Sequence, residues 1–208
     1  MKKINRILPY FPIFGILIYL VMFTIAASFY PGGSNNVPTA QNGYSIFHNY
    51  LCDSNNQTTH SGLENKGKLL ANLSHLVLSI TMMTFFYVFP NIFGHRNRNT
   101  KLIKILGVFS MAIFTFMYQE ELHDLIVTLV GIFASMAFVP IFIELVNYKN
   151  RPFKILTCIV FLMSIALYLG FETKTGIYYM PFLQKIVFLV DSTLVIWTGV
   201  IAIGMNRV

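Results

Sequence analysis

The chain has 208 residues, of which 55% are hydrophobic, 15% aromatic and only 11% charged. Soluble domains carry about a quarter charged residues, so this balance excludes an ordinary soluble domain and indicates a membrane protein of one domain. The net charge of +7 would suit nucleic acid if the basic residues gathered on one face. They flank apolar runs instead, and no nucleic-acid partner is expected.

In chain order, a short basic lead (Lys2, Lys3, Arg6) precedes an apolar run over residues 8–29, broken near its start by Pro9, Pro12 and Gly15. At 22 residues the run exceeds the 7–15-residue centre of a cleaved signal peptide, although Ala26-Ala27-Ser28 is a passable cleavage site. It is long enough to cross the hydrocarbon. Tyr30-Pro31-Gly32-Gly33-Ser34 ends it, since proline cannot continue a helix and glycine relaxes the turn. Residues 30–68 form a long polar segment. Within it, Ser45 to Leu51 places Ile46, Phe47, Tyr50 and Leu51 at the spacing of a short helix on the bilayer surface. Ser61-Gly62-Leu63-Glu64 has capping-box spacing ahead of the second apolar run.

Five more helices are expected at about 69–89, 102–118, 125–146, 155–171 and 182–205, with Pro140 a candidate kink in the fourth. The connector 91–104 is basic (His95, Arg96, Arg98, Lys101, Lys104), as is 147–154 (Lys149, Arg151, Lys154). The expected fold class is therefore all-α: a bundle of six transmembrane helices. With both termini cytoplasmic, eleven of the fifteen Lys and Arg residues fall inside, as the positive-inside rule asks. Lys66, Lys68, Lys174 and Lys185 fall outside. Cys52 lies in a loop and Cys158 in an apolar run, so no disulfide is expected between them. The Asn-, Lys-, Ile- and Phe-rich composition fits an AT-rich bacterial genome and hence a bacterial inner membrane.

Polar residues that loops do not account for converge on the outer half. Lys68, Asn72, His75 and Ser79 share one face of the second helix. Glu120, His123, Asp124 and Thr128 open the fourth. Gln184, Asp191 and Thr198 follow at steps of seven in the sixth. A carboxylate in mid-membrane costs about 2.5–3.5 kcal/mol on insertion scales and normally faces the bundle interior with a partner. His75 and Lys185 are the candidate partners of Asp191. The ligand-binding candidates are Asp53, Asn72, His75, Ser79, Glu120, His123, Asp124 and Asp191. Each has a plainer reading: interhelical bonds for Asn72 and His75, a solvated connector for Glu120 and Glu121, and a helix cap for His123-Asp124.

The Tyr-Pro-Gly-Gly turn, the Gly43-Tyr44-Ser45 step, Asn49-Tyr50-Leu51-Cys52-Asp53 and His123-Asp124 carry a resemblance. The chain resembles the small bacterial six-helix membrane proteins grouped as a domain of unknown function (family 998), similar in layout to the eukaryotic Frag1/DRAM/Sfk1 membrane proteins. It departs from them at Ser54-Asn55-Asn56, where small residues are usual. The resemblance implies a fold and a location but no activity.

Three functions compete. The first is a non-enzymatic protein that binds a lipid or small solute in an outward-facing polar cavity or scaffolds partners, with membrane lipids around it and no cofactor. The second is a metal-dependent lipid hydrolase with His75, His123 and Asp191 as ligands, Asp53 and Asp124 being further candidates. The alkaline-ceramidase superfamily builds such a site from several His, an Asp and a Ser, but this chain lacks its paired His-x-x-x-His. The third is a proton-coupled transporter using Asp191, against which the lack of a visible internal repeat counts.

Overall fold

The computed structural model describes residues 6–40 and 42–205; Lys2, Lys3 and Arg207 lie outside them. Six helices follow in order: α1 (Tyr10–Ser28), α2 (Lys68–Val88), α3 (Arg98–Phe114), α4 (His123–Val146), α5 (Arg151–Thr173) and α6 (Met180–Met205). Among the described residues there is no strand beyond an isolated bridge between Thr58 and Glu64. All helices except α3 are long and apolar enough to cross a membrane, which marks the chain as a multi-pass membrane protein. In hydrocarbon a helix satisfies its backbone within one segment. The outward faces carry large apolar side chains, with Val21 60%, Val139 63% and Leu162 64% exposed. In water such faces would be a liability; in lipid they are the expected surface. α3 has 17 residues and carries Arg98, Lys101 and Lys104 in its first two turns.

The helices form a ring in which α1 packs on α2, α2 on α3, α3 on α4, α5 on α6, and α6 back on α1, while the α4–α5 seam is slight. Small residues let backbones approach. A Cβ on Gly15 would stand 2.0 Å from Thr81 Oγ1, and one on Gly107 would stand 2.1 Å from the Phe86 ring. Hydroxyls add bonds across the same interfaces: Ser79 Oγ donates to Met111 O at 2.6 Å and Ser110 Oγ to Val130 O at 2.9 Å. The core is aromatic, with Phe85, Phe89 and Phe153 buried and Trp197 edge-on to Phe153 at 5.7 Å.

Several boundaries differ from the sequence expectation, each for a local reason. α3 begins at Arg98 instead of 102 because Asn97 caps it: Asn97 Oδ1 accepts from Thr100 N at 2.8 Å while Thr100 Oγ1 accepts from Asn97 N at 2.9 Å. The connector before it is not open loop. A 3-10 turn over Phe89–Phe93 runs into Gly94 at φ 75°. α5 begins at Arg151 instead of 155, since Asn150 accepts from Phe153 N at 3.1 Å and Pro152 suits the first turn. The Ser61–Glu64 capping box does not form; the residue ahead of α2 is Gly67, and residues 58–64 close on themselves through the Thr58–Glu64 bridge. Nor do residues 45–51 make a helix: a turn there is followed by a 3-10 helix at Leu51–Asn55.

Polar contacts at the two ends orient α2 and α4. Lys68, which opens α2, meets Glu120, just ahead of α4, at 3.0 Å. At the far ends the buried Glu144 of α4 accepts from His95 Nε2 at 2.6 Å, Asn97 Nδ2 at 2.7 Å and Asn99 Nδ2 at 2.9 Å. The two helices therefore run parallel, and α3 returns between them over their length. A charged acceptor with three donors is a strong local anchor. Glu144→Ala is expected to cost about 2–3 kcal/mol, read as a lower unfolding midpoint in detergent, with Glu144→Gln recovering part of it. An unchanged midpoint in Glu144→Ala would show that the α2–α3 connector is held by other contacts.

Candidate functional site

Residues 30–67 fold into a roof over one end of the bundle, and Asn49 is its centre. Its side-chain amide donates to Gly33 O at 2.7 Å and Asp53 Oδ2 at 2.9 Å, and its Oδ1 accepts from Ser45 N at 2.9 Å. Asp53 Oδ2 also accepts from Tyr50 N at 3.0 Å, and Asp53 Oδ1 lies 3.5 Å from His60 Nε2. Gly33 sits at φ 87°, and a Cβ there would lie 2.4 Å from Ser61 N, so this crossing of backbones admits glycine alone. Asn65 ties the end of the roof back to its middle, donating to Ser54 O at 2.7 Å and Asn56 O at 3.1 Å.

The roof is pinned to the helices at separate points. Gln57 N donates to Glu120 Oε1 at 2.8 Å and Leu51 N to Gln184 Oε1 at 2.8 Å. Asn36 Nδ2 reaches Tyr178 O at 2.9 Å, between α5 and α6. Lys185 Nζ donates to Asn49 O and, at 2.9 Å, to Pro181 O. Lys185 is thus spent on the roof and is not the partner of Asp191 that the sequence suggested. Glu120, far from being a bare connector, receives both the roof and α2.

Beneath the roof lies a cavity of about 350 Å³ lined by residues of all six helices, within the usual size of small-ligand sites. Tyr50, Leu51 and Cys52 close its top. His75 comes from α2, Phe114 from α3, His123 and Gly131 from α4, Ser164 and Tyr168 from α5, Gln184 and Asp191 from α6, and Tyr19 from α1. The lining is mainly apolar, with a few polar groups set into it, rather than the broadly polar cavity expected.

Of the candidates named from sequence, His75, His123 and Asp191 line this cavity. The others do not. Asp53 is buried in the roof knot; Ser79 bonds α3; Glu120 holds the roof; Asp124 is exposed, with its Oδ1 3.1 Å from His123 Nδ1. Asn72 is half-buried on α2 and its Oδ1 has no hydrogen-bond partner among the described residues. The His75 ring packs against Tyr19, Phe23 and Phe114 with centroids at 5.7, 6.1 and 6.2 Å. Its Nδ1 lies 3.0 Å from Ala71 O. A carbonyl can only accept, so Nδ1 carries the hydrogen and Nε2 is left as an acceptor in the neutral ring. Tyr19, Ser164 and Tyr168 were not singled out from sequence, and Tyr50, Leu51 and Cys52 stood out there as a motif and a surface turn, not as cavity lining. A periodic-stripe reading passes over lone tyrosines, which in membrane proteins mostly serve packing and interfaces.

The roof's chemistry is conservative. Burial, reinforced by Asp53, pushes the Cys52 thiol up to about 12, so it stays protonated at neutral pH and is no nucleophile. Burial likewise pushes the Tyr50 hydroxyl up to about 12, which keeps it a donor. Among the described residues no three of His, Cys, Asp or Glu are grouped closely enough to hold a metal ion. His75, His123 and Asp191 share the cavity without forming such a cluster.

His60 titrates above its ordinary 6.5 because its contact with Asp53 outweighs the cost of burial. Its contribution to roof stability is therefore complete below 6.5 and disappears as pH rises through the raised folded value. With the side chain 27% exposed, the effect is about 1 kcal/mol or less. The stability difference between the parent and His60→Gln should be largest below pH 6 and vanish in alkaline buffer, measured by thermal melts across pH. A gap independent of pH would leave the contact without electrostatic weight.

Comparison of the chain with family models, with curated proteins and with solved structures finds no match. The resemblance to family 998 expected from residues 30–53 and His123-Asp124 therefore has no support from these comparisons.

Proposed function

We propose that this is a six-span membrane protein with both termini in the cytoplasm, in a bacterial inner membrane, that binds an amphiphile or small lipid in the roofed cavity. The carrying observation is the meeting of His75, His123 and Asp191 on one mainly apolar cavity beneath a hydrogen-bonded cover. Polar groups set into hydrocarbon are costly and mark functional sites, while a mainly apolar lining with a few placed polar groups is the pattern of ligand pockets.

Support for a sixth crossing comes from the parallel course of α2 and α4. If both cross, α3 must return through the same depth. Its outward face carries Ile105 and Phe109, each about half exposed, and Lys101 and Lys104 can extend their ammonium groups toward the headgroups. Lys104 Nζ already lies 3.1 Å above the Tyr87 ring. The roofed end is then extracytoplasmic and the basic connectors 91–104 and 147–154 cytoplasmic.

The binding reading is favoured over the other two. Metal-dependent hydrolysis finds no grouped ligand set among the described residues. For transport, the inner half beneath Asp191 holds the packed rings of Phe89, Phe153 and Trp197, the first two stacked and the third edge-on, a packing that suits a closed floor better than a path.

Two measurements test the proposal. Single cysteines replacing the exposed Asn35 and Asn147 in a Cys52→Ser/Cys158→Ser background should be labelled by an impermeant maleimide from opposite sides, position 35 from outside; the reverse pattern would invert the topology. Native mass spectrometry of the protein extracted from its membrane should show a bound amphiphile that is lost in Val127→Trp, a variant that fills the cavity from α4. No adduct in the parent, or an equal adduct in both, would remove the cavity as the binding site.

A further inference from the structure

Four buried polar atoms carried by the cavity lining have no hydrogen-bond partner among the described residues: Tyr19 Oη, Tyr50 Oη, His123 Nε2 and Asp191 Oδ1. A buried polar atom left unpaired costs about 1–3 kcal/mol, and native proteins seldom leave several together unless a ligand or water answers them. Unpaired atoms of this kind also occur elsewhere in the molecule, in Asn55 and Asn72 for example. Four around one cavity make a recognition surface.

The sense of each atom can be assigned. His123 Nδ1 lies against the Asp124 carboxylate, an acceptor, so Nδ1 carries the hydrogen and Nε2 offers a lone pair. His75 Nε2 is an acceptor by the same reasoning from Ala71 O. Asp191 Oδ1 accepts when ionised. The two tyrosines can act either way. The set is weighted toward acceptance and includes one carboxylate. Among the described residues no Lys or Arg lines the cavity. The nearby cations are committed elsewhere, Lys185 to Asn49 O and Pro181 O, and Lys68 to Glu120. A phosphate or carboxylate headgroup would meet acceptors and no counter-charge.

Resting on the binding function proposed above, we infer that the cavity selects an amphiphile bearing a primary ammonium group, held by Asp191 with His123, Tyr50 and Tyr19 around it, and discriminates against anionic headgroups. The ammonium brings three N–H donors to a lining weighted toward acceptance, and its charge is answered by the carboxylate. The apolar walls take the alkyl chain. A free alkylamine and an amine-bearing lipid headgroup present the same group.

The full chain in phosphatidylcholine nanodiscs, titrated calorimetrically against protein-free discs, distinguishes the cases with octylamine, octanol and octyl phosphate. Octylamine is expected to bind saturably and at least about tenfold tighter than octanol, roughly 1.4 kcal/mol, with octyl phosphate weakest. Asp191→Asn should bring octylamine down to the affinity of octanol, with a cooperative thermal unfolding transition in the same discs showing that the variant is folded. Tyr50→Phe, a milder change, should weaken octylamine severalfold. Repeating the octylamine titration in discs containing phosphatidylethanolamine separates the sources: competition identifies a lipid headgroup, its absence a free amine, and both support the ammonium. Equal affinity for octylamine and octanol, tighter binding of octyl phosphate, or an Asp191→Asn variant that keeps the preference overturns the selectivity while leaving the cavity a binding site. Failure of all three probes overturns the binding reading itself.

Discussion

The amide of Asn49 is the interaction on which the cavity depends. It joins three parts of the roof at once: the turn leaving α1 through Gly33, the start of the cover through Ser45, and the 3-10 helix through Asp53. Without that junction the cover holding Tyr50, Leu51 and Cys52 over the bundle would lose its internal tie to the turn leaving α1. The bonds from Gln184 and Glu120 fix where the cover lies, but they act on a shape that Asn49 and Asp53 have already set. A segment with so little apolar content cannot build a core of its own and is ordered through its polar side chains.

The opposite end is organised by the same physics with different residues. Glu144 gathers His95, Asn97 and Asn99, so the α2–α3 connector is drawn against α4 by a carboxylate as the roof is drawn together by an amide. Between the two ends the bundle is held by glycine contacts, hydroxyl bonds and stacked rings. Association in lipid lacks the hydrophobic drive available in water, which is why these close approaches matter.

The helices were legible in the sequence because hydrocarbon sets their length and composition, and the expected bounds of α1, α2, α4 and α6 lie within about two residues of those observed. α5 was shortened in expectation, and α3 set about four residues too late at both ends, because Arg98, Lys101, Arg151 and Lys154 read as connector, whereas Asn97 and Asn150 start the helices ahead of those charges. Of the site, His75 and Asp191 stood out because an ionisable residue inside an apolar run is conspicuous. The folded roof was not legible. Its bonds pair Asn49 with Gly33, Leu51 with Gln184 and Gln57 with Glu120, and no local periodicity encodes contacts across such separations. Asp53 and Glu120 were noticed as acids, but their use as anchors depends on that tertiary arrangement.

The slight seam between α4 and α5 has its own implication. It includes Thr128 with Glu172, the Tyr168 ring over Gly131, and Phe161 against Phe138 and Phe142, and α5 is buried over only 17% of its apolar stretch. Four polar pins fasten the lid, whereas the side wall leans on a few ring contacts and one exposed hydrogen bond. On the binding function proposed above, an occupant would exchange through this seam with the surrounding lipid more readily than through the roof with water, at a rate that lateral pressure in the bilayer would govern.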